Sequence, residues 1–135
     1  AVADFFIDEV IFNIQVSSMY ETLPIGDIQQ PKFFNLAILA NTYSEPLELL
    51  DYLQSIETRY GRERSIHWGP RTLDIDIIDI DGEELKLDRL TLPHPEATKR
   101  AFVLVGITEL SRTQHIAGKS ANEWLRDLDT SGVTT

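Results

Sequence analysis

Arg71-Thr72-Leu73-Asp74-Ile75-Asp76-Ile77-Ile78-Asp79-Ile80, followed by Asp81-Gly82, is the stretch on which the reading of the fold turns. Polar and apolar residues alternate from Leu73 to Ile77, the period of a strand, and Asp-Gly is a hairpin-turn signal. Side chains two apart on a strand share a face. Asp74 and Asp76 therefore project together, while Leu73, Ile75 and Ile77 face the other way. Two like charges so close repel each other unless a cation lies between them. Oxygen-only ligands suit Mg²⁺, which keeps several waters and recruits substrate phosphates. Taken alone, an Asp-x-Asp is more often the wet face of an edge strand.

The context upstream changes that balance. His67-Trp68-Gly69-Pro70 joins the aspartates to a basic segment in which Arg59, Arg62, Arg64 and Arg71 face a single acid, Glu63. The segment carries +3 in a chain of net charge −10, which leaves −13 on the rest. Arginine forks grip phosphate oxygens bidentately, so a cation site beside such a cluster fits a nucleotide or polyphosphate. Neither Gly-x-x-x-x-Gly-Lys-Ser/Thr nor Gly-x-Gly-x-x-Gly occurs, so the phosphates would be held by side chains and metal.

The 135 residues are the size of one domain, expected to span 1–135 with a frayed tail at 130–135. The apolar share of 42% and charged share of 25% are those of a globular protein. No apolar run approaches the ~20 residues that span a bilayer, so no membrane partner is expected. Cysteine is absent, which excludes disulfide scaffolds, thiolate metal sites and cysteine nucleophiles. The chain starts at Ala1 with no basic n-region, so no secretory signal is visible, and a trimmed chain with a cytoplasmic location is the expectation. The acidic balance argues against nucleic acid as a partner, and with it against a metal-dependent nuclease.

Residues 1–8 read as the end of a helix, 10–20 and 33–43 as strands, and Glu45–Tyr60 as a helix with Leu47, Leu50, Leu53 and Ile56 on its apolar stripe. Residues 71–80 read as a strand and 84–93 as a short extended piece. Pro95–Leu110 and Ser120–Leu128 read as further helices. This order predicts an α+β fold with helices on the sheet. Phe33 and Asn35 share a strand face, where a ring and a carboxamide can stack on and pair with a planar heterocycle. His94 and Arg100 flank a helix start and can face one ligand.

These blocks resemble one enzyme family. His67 to Ile78 looks like the signature of 6-hydroxymethyl-7,8-dihydropterin pyrophosphokinases. Ser17 to Thr22 with Gly26, Phe33-Phe34-Asn35, Arg89 to His94 and Arg100-Ala101-Phe102 resemble that family's flanking segments, so the likeness covers roughly residues 10 to 110. It implies a ferredoxin-like α/β sandwich with a mostly antiparallel sheet. It also implies pyrophosphate transfer from ATP to a reduced pterin, with two Mg²⁺ ions on Asp74 and Asp76 and catalytic arginines at Arg62, Arg64 and Arg71. ATP contacts carry over to Gln54, Glu57, His67, Trp68, Arg71, Ile77, Arg89, Thr91, His94 and Arg100. Pterin contacts carry over to Thr22, Leu23, Ile25, Phe33, Asn35 and Phe102.

Three departures stand out. His67 occupies a position where arginine is frequent, which weakens phosphate binding above the histidine pKa of ~6.5. Phe33 stands where tyrosine is common. The strand and helix with which the family begins are not found, so a monomer is expected unless an oligomer supplies the missing strand. A binding-only fragment of a larger folate enzyme is the alternative reading.

Overall fold

In a computed structural model, residues 1–22, 33–61, 73–111, 115–126, 128 and 133–134 are described. The elements run α1 (Val2–Asp8), β1 (Ile11–Val16), β2 (Tyr20–Thr22), β3 (Phe33–Asn35), β4 (Ile38–Thr42), α2 (Pro46–Gly61), β5 (Leu85–Lys86) and β6 (Thr91–Leu92). A 3-10 turn (Ala97–Lys99), α3 (Ala101–Leu110), β7 (His115–Ile116), β8 (Lys119–Ser120), α4 (Ala121–Leu125) and β9 (Val133–Thr134) follow. The class is α+β, as expected. Among the described residues the strands fall into four small sheets, β1-β4, β3-β2-β9, β5-β6 and β7-β8. The β2–β3, β2–β9, β5–β6 and β7–β8 pairs are antiparallel. No described helix is long and apolar enough to cross a membrane.

The chain forms two compact units. The first comprises Ala1–Asn13 and Ala40–His94. Its core is built on α2, which buries Leu49, Leu50, Leu53 and Ile56. These four form one stripe at 3.6 residues per turn. Leu47 lies about 130° round from its centre and stays exposed, so Leu49 takes the place expected of Leu47. Helix α1 lies on α2 through polar contacts as well as Phe5. The Tyr52 and Tyr60 hydroxyls donate to Asp8 (2.8 Å) and Asp4 (2.7 Å), and the Arg59 guanidinium reaches Asp4 at 3.3 Å. The Tyr60 hydroxyl beside Asp4 holds its carboxyl below the usual range, while burial and then Asp8 push the Tyr52 phenol up to about 12.

Within residues 73–79, burial alternates from Leu73 to Ile77 as in a strand: Ile77 is buried and Asp74 and Asp76 are exposed. They join no ladder among the described residues, which corrects the strand expected there. Two of their backbone groups bond elsewhere: the Ile75 N–H donates to Glu57, and the Ile78 carbonyl accepts from the His94 N–H. The Asp-Gly turn forms as expected, with positive φ at Asp81 (48°) and Gly82 (72°). It is closed by Glu83 N–H to the Ile80 carbonyl at 2.8 Å.

The second unit comprises Ile14–Leu39 and Pro95–Thr135. The strand expected over 33–43 is broken at Leu36-Ala37, because the Ala37 N–H donates to the buried Ser17 hydroxyl (2.8 Å) in place of a ladder carbonyl. Helix α3 approaches at the same point. A Cβ on Gly106 would sit 2.8 Å from that of Ala37, so only glycine lets the backbones come this close. The helix expected over Pro95–Leu110 is interrupted at Arg100, whose extended backbone (φ −110°, ψ 109°) divides the 3-10 turn from α3. Ser120 caps the short α4 by accepting from the Glu123 N–H.

The β7–β8 hairpin was not expected, since its turn carries Ala117 (φ 52°) where Asn or Asp is the usual signal. Nor do residues 130–135 all fray. Val133 and Thr134 pair with Thr22 and Glu21, which gives the β2 edge a ladder partner.

Urea unfolding tests both glycine-type constraints. Ala117→Asn should raise stability by about 0.5–1 kcal/mol by relieving an alanine held in the left-handed region. Gly106→Ala should lower it by about 1–3 kcal/mol through overpacking against Ala37.

Candidate nucleotide and metal site

The burial of α2's apolar stripe turns Asp51 and Gln54 outward and leaves Glu57, three residues on, half-buried beside the stripe. Each meets a neighbouring segment of the first unit or its side chains. The Arg89 guanidinium, carried on the turn between β5 and β6, donates from Nη2 to Asp51 Oδ1 at 2.5 Å and to Gln54 Oε1 at 3.1 Å. Half-buried Glu57 accepts the Ile75 N–H on Oε2 at 2.8 Å, midway between the two aspartates. The His94 N–H holds the Ile78 carbonyl at 2.8 Å, three residues beyond Ile75. Helix α2 thus ties Arg89 on one side and the aspartate segment on the other, and that segment reaches His94.

Of the expected ATP contacts, Gln54 and Arg89 bond to each other, Glu57 bonds the amide between Asp74 and Asp76, and the His94 backbone bonds Ile78. Thr91 is exposed on β6, opposite Lys86. Ile77 is a core residue of its unit. Asp51 was not anticipated. Nothing in a local pattern links it to a guanidinium 38 positions away.

Exposed aspartates on one side of an extended segment suit a hard cation that keeps most of its shell as water. Among the described residues no group of three or more Asp, Glu or His side chains is placed to hold a metal. Two carboxylates of this kind are oxygen donors of the type that suits Mg²⁺, whose shell is commonly filled by water and phosphate oxygens.

Of the expected pterin residues, Thr22, Phe33, Asn35 and Phe102 belong to the second unit. Asn35 is half-buried on β3, in register with Tyr20 of β2, while Thr22 pairs with Phe33 through the backbone. Phe34, next to Asn35, is 65% exposed, so these two neighbours alternate in burial as strand residues do. Phe102 is half-buried in the first turn of α3, and Arg100, just before that helix, is exposed. Sequence reasoning missed the Glu109 carboxylate. It accepts from the Ser18 N–H at 2.6 Å and from the Tyr20 hydroxyl, tying the end of α3 to β2. The Tyr20 hydroxyl holds the Glu109 carboxyl below its ordinary range, and Glu109 in turn pushes the Tyr20 phenol up. Leu23, Ile25, Arg62, Arg64, His67, Trp68 and Arg71 lie outside the described residues.

The described residues thus set two exposed aspartates beside a helix-borne carboxylate in a protein of α+β class. The family model for 7,8-dihydro-6-hydroxymethylpterin-pyrophosphokinase (HPPK) matches residues 2–112, and the chain belongs to that family. The match begins within the first turn of α1, earlier than the roughly residue 10 at which the resemblance was legible. Among similar proteins, the 2-amino-4-hydroxy-6-hydroxymethyldihydropteridine pyrophosphokinase of Methylorubrum extorquens is 41% identical over 117 residues, 87% of this chain and 74% of that protein. The Bacillus subtilis protein of the same name is 43% identical over 119 residues, 88% of this chain and 68% of that one. The bifunctional protein FolKE of Lactococcus lactis is 50% identical over 96 residues, 71% of this chain. The chain spans only 28% of the length of that bifunctional relative.

The Asp51–Arg89 pair is half exposed on both sides, so its effect is on orientation and not on folding. Asp51→Ala should change the free energy of unfolding by less than about 1 kcal/mol, read from a denaturant titration.

Proposed function

We propose that this protein transfers pyrophosphate from ATP to 6-hydroxymethyl-7,8-dihydropterin, giving AMP and the pterin diphosphate. The observation that carries the reading is the family match over residues 2–112, which spans the aspartate segment and the residues bonded around it. The pterin hydroxymethyl oxygen attacks the β-phosphorus of ATP. The bond from that phosphorus to the α–β bridging oxygen breaks, AMP departs with the bonding electrons, and the hydroxyl proton is released to solvent.

Asp74 and Asp76 would hold Mg²⁺, two ions in this reading, which would supply charge neutralisation on the phosphate oxygens. Arg62, Arg64 and Arg71 offset charge that develops on the transferred and departing groups. Gln54, Arg89, Thr91, His94 and Arg100, with His67, Trp68 and Ile77, bind the nucleotide. Phe33 and Phe102 stack on the pterin while Thr22, Leu23, Ile25 and Asn35 surround its edge. We place the protein in the cytoplasm, acting as a monomer without nucleic-acid or membrane partners.

A second reading, a form that binds ligands without turnover, is favoured by one observation. Residues 73–79 have no ladder partner among the described residues, and a metal carried on a segment held at so few points would bind the nucleotide without organising transfer.

Protein, MgATP and the hydroxymethyl pterin are incubated, and AMP and ADP are separated by chromatography. Pterin-dependent AMP is the expected product. ADP overturns pyrophosphoryl transfer, and ATP binding with neither product establishes the second reading. Asp74→Asn or Asp76→Asn should lower turnover at least about 100-fold, the scale of losing one fixed electrostatic contact to the transition state. Arg62→Ala or Arg64→Ala should reduce kcat more than ATP affinity.

A further inference from the structure

We infer that Glu57 is a positioning residue for the Asp74–Asp76 pair, setting the direction of both carboxylates by pinning the amide between them. The inference rests on the reading of those aspartates as the cation site. It assigns Glu57 a different task from the nucleotide contact that the family resemblance implied.

The Ile75 N–H donates to Glu57 Oε2 at 2.8 Å, and Ile75 is the residue that separates the two aspartates. Backbone direction at Ile75 decides which way its neighbours point, because successive side chains alternate across an extended segment. A small rotation there would swing Asp74 and Asp76 together. In a sheet, ladder hydrogen bonds prevent such rotation. Here the Ile75 N–H is held instead by the Glu57 carboxylate, a side chain on a long helix.

Helix α2 is suited to the task. It runs 16 residues and buries Leu53 and Ile56 immediately before Glu57, so the carboxylate is delivered from a fixed base. Glu57 is itself half-buried, where a charge-assisted hydrogen bond competes less with water.

The test compares Glu57→Gln, whose amide oxygen still accepts the Ile75 N–H, with Glu57→Ala, which removes the acceptor. Circular dichroism checks that both fold, and the glutamine variant keeps the comparison decisive if the alanine variant does not. Three quantities are read: hydrogen exchange of the Ile75 amide by NMR, Mn²⁺ affinity by paramagnetic broadening in the presence of ATP, and kcat against KM for ATP. In Glu57→Ala, Ile75 exchange should speed up and Mn²⁺ binding weaken by about tenfold each, the effect of one charge-assisted hydrogen bond. Glu57→Gln should restore both to within about threefold, and kcat should fall more than ATP affinity. Unchanged exchange in Glu57→Ala overturns the proposal. So does a glutamine variant that loses ATP affinity as fully as the alanine one, which would make Glu57 a nucleotide ligand. Wild-type protein that binds no Mn²⁺ overturns the cation reading of the aspartates and the proposal with it. That result is distinct from the others, because it appears before any substitution is made.

Discussion

Burial of Leu49, Leu50, Leu53 and Ile56 sets the rotation of α2 about its own axis, and the polar contacts of the first unit follow from that rotation. Each such side chain contributes on the order of 2 kcal/mol when withdrawn from water, whereas an exposed ion pair such as Asp51–Arg89 contributes under about 1 kcal/mol. The apolar stripe therefore wins. Once it is seated, Tyr52 and Tyr60 are turned toward α1, Asp51 and Gln54 toward Arg89, and Glu57 toward Ile75. The charged residues do not hold the unit together. They are aimed by a helix held for other reasons.

The second unit depends on a different constraint, the close approach of α3 to the bend at Ala37. Gly106 permits the contact, and Ser17 satisfies the backbone amide that the bend removes from a ladder. Glu109 then draws β2 to the end of the same helix through the Ser18 amide and the Tyr20 hydroxyl. The β3 strand with Asn35 is in register with this β2 strand, so the face expected to meet a planar heterocycle rests on packing made by glycine and serine. The two units use the same device. A helix is fixed by small or apolar residues, and carboxylates along it hold loops and strands.

Local signals in the chain were legible where the physics is local. The helical period marked α2, the Asp-Gly pair marked the turn at 81–82, and the alternation around Asp74 and Asp76 marked which side chains lie out and which lie in. The strands and turns that failed to show are those whose cause lies elsewhere in the chain. Val133–Thr134 has no strand pattern of its own and is extended against Glu21 and Thr22. The Ala117-Gly118 turn lacks the usual Asn or Asp and is set beside Trp124, whose indole donates to the Ile116 carbonyl. The break at Leu36-Ala37 belongs to Ser17 and Gly106, neither of which is near it in sequence.

The candidate site divides along the same line. The amino-acid order by itself determined the chemistry available: paired carboxylates two apart, an arginine cluster beside them, an α+β pattern and the family to which these motifs belong. A short-range pattern is enough for that, because periodicity and residue type act over a few positions. Tertiary structure alone decided which groups hold which. It drew Asp51 to Arg89 and aimed Glu57 at the amide between the aspartates. It also left the aspartate segment outside any described ladder. Those choices depend on how helix rotation and chain crossing bring distant residues to within 3 Å, and no local rule of sequence carries that distance.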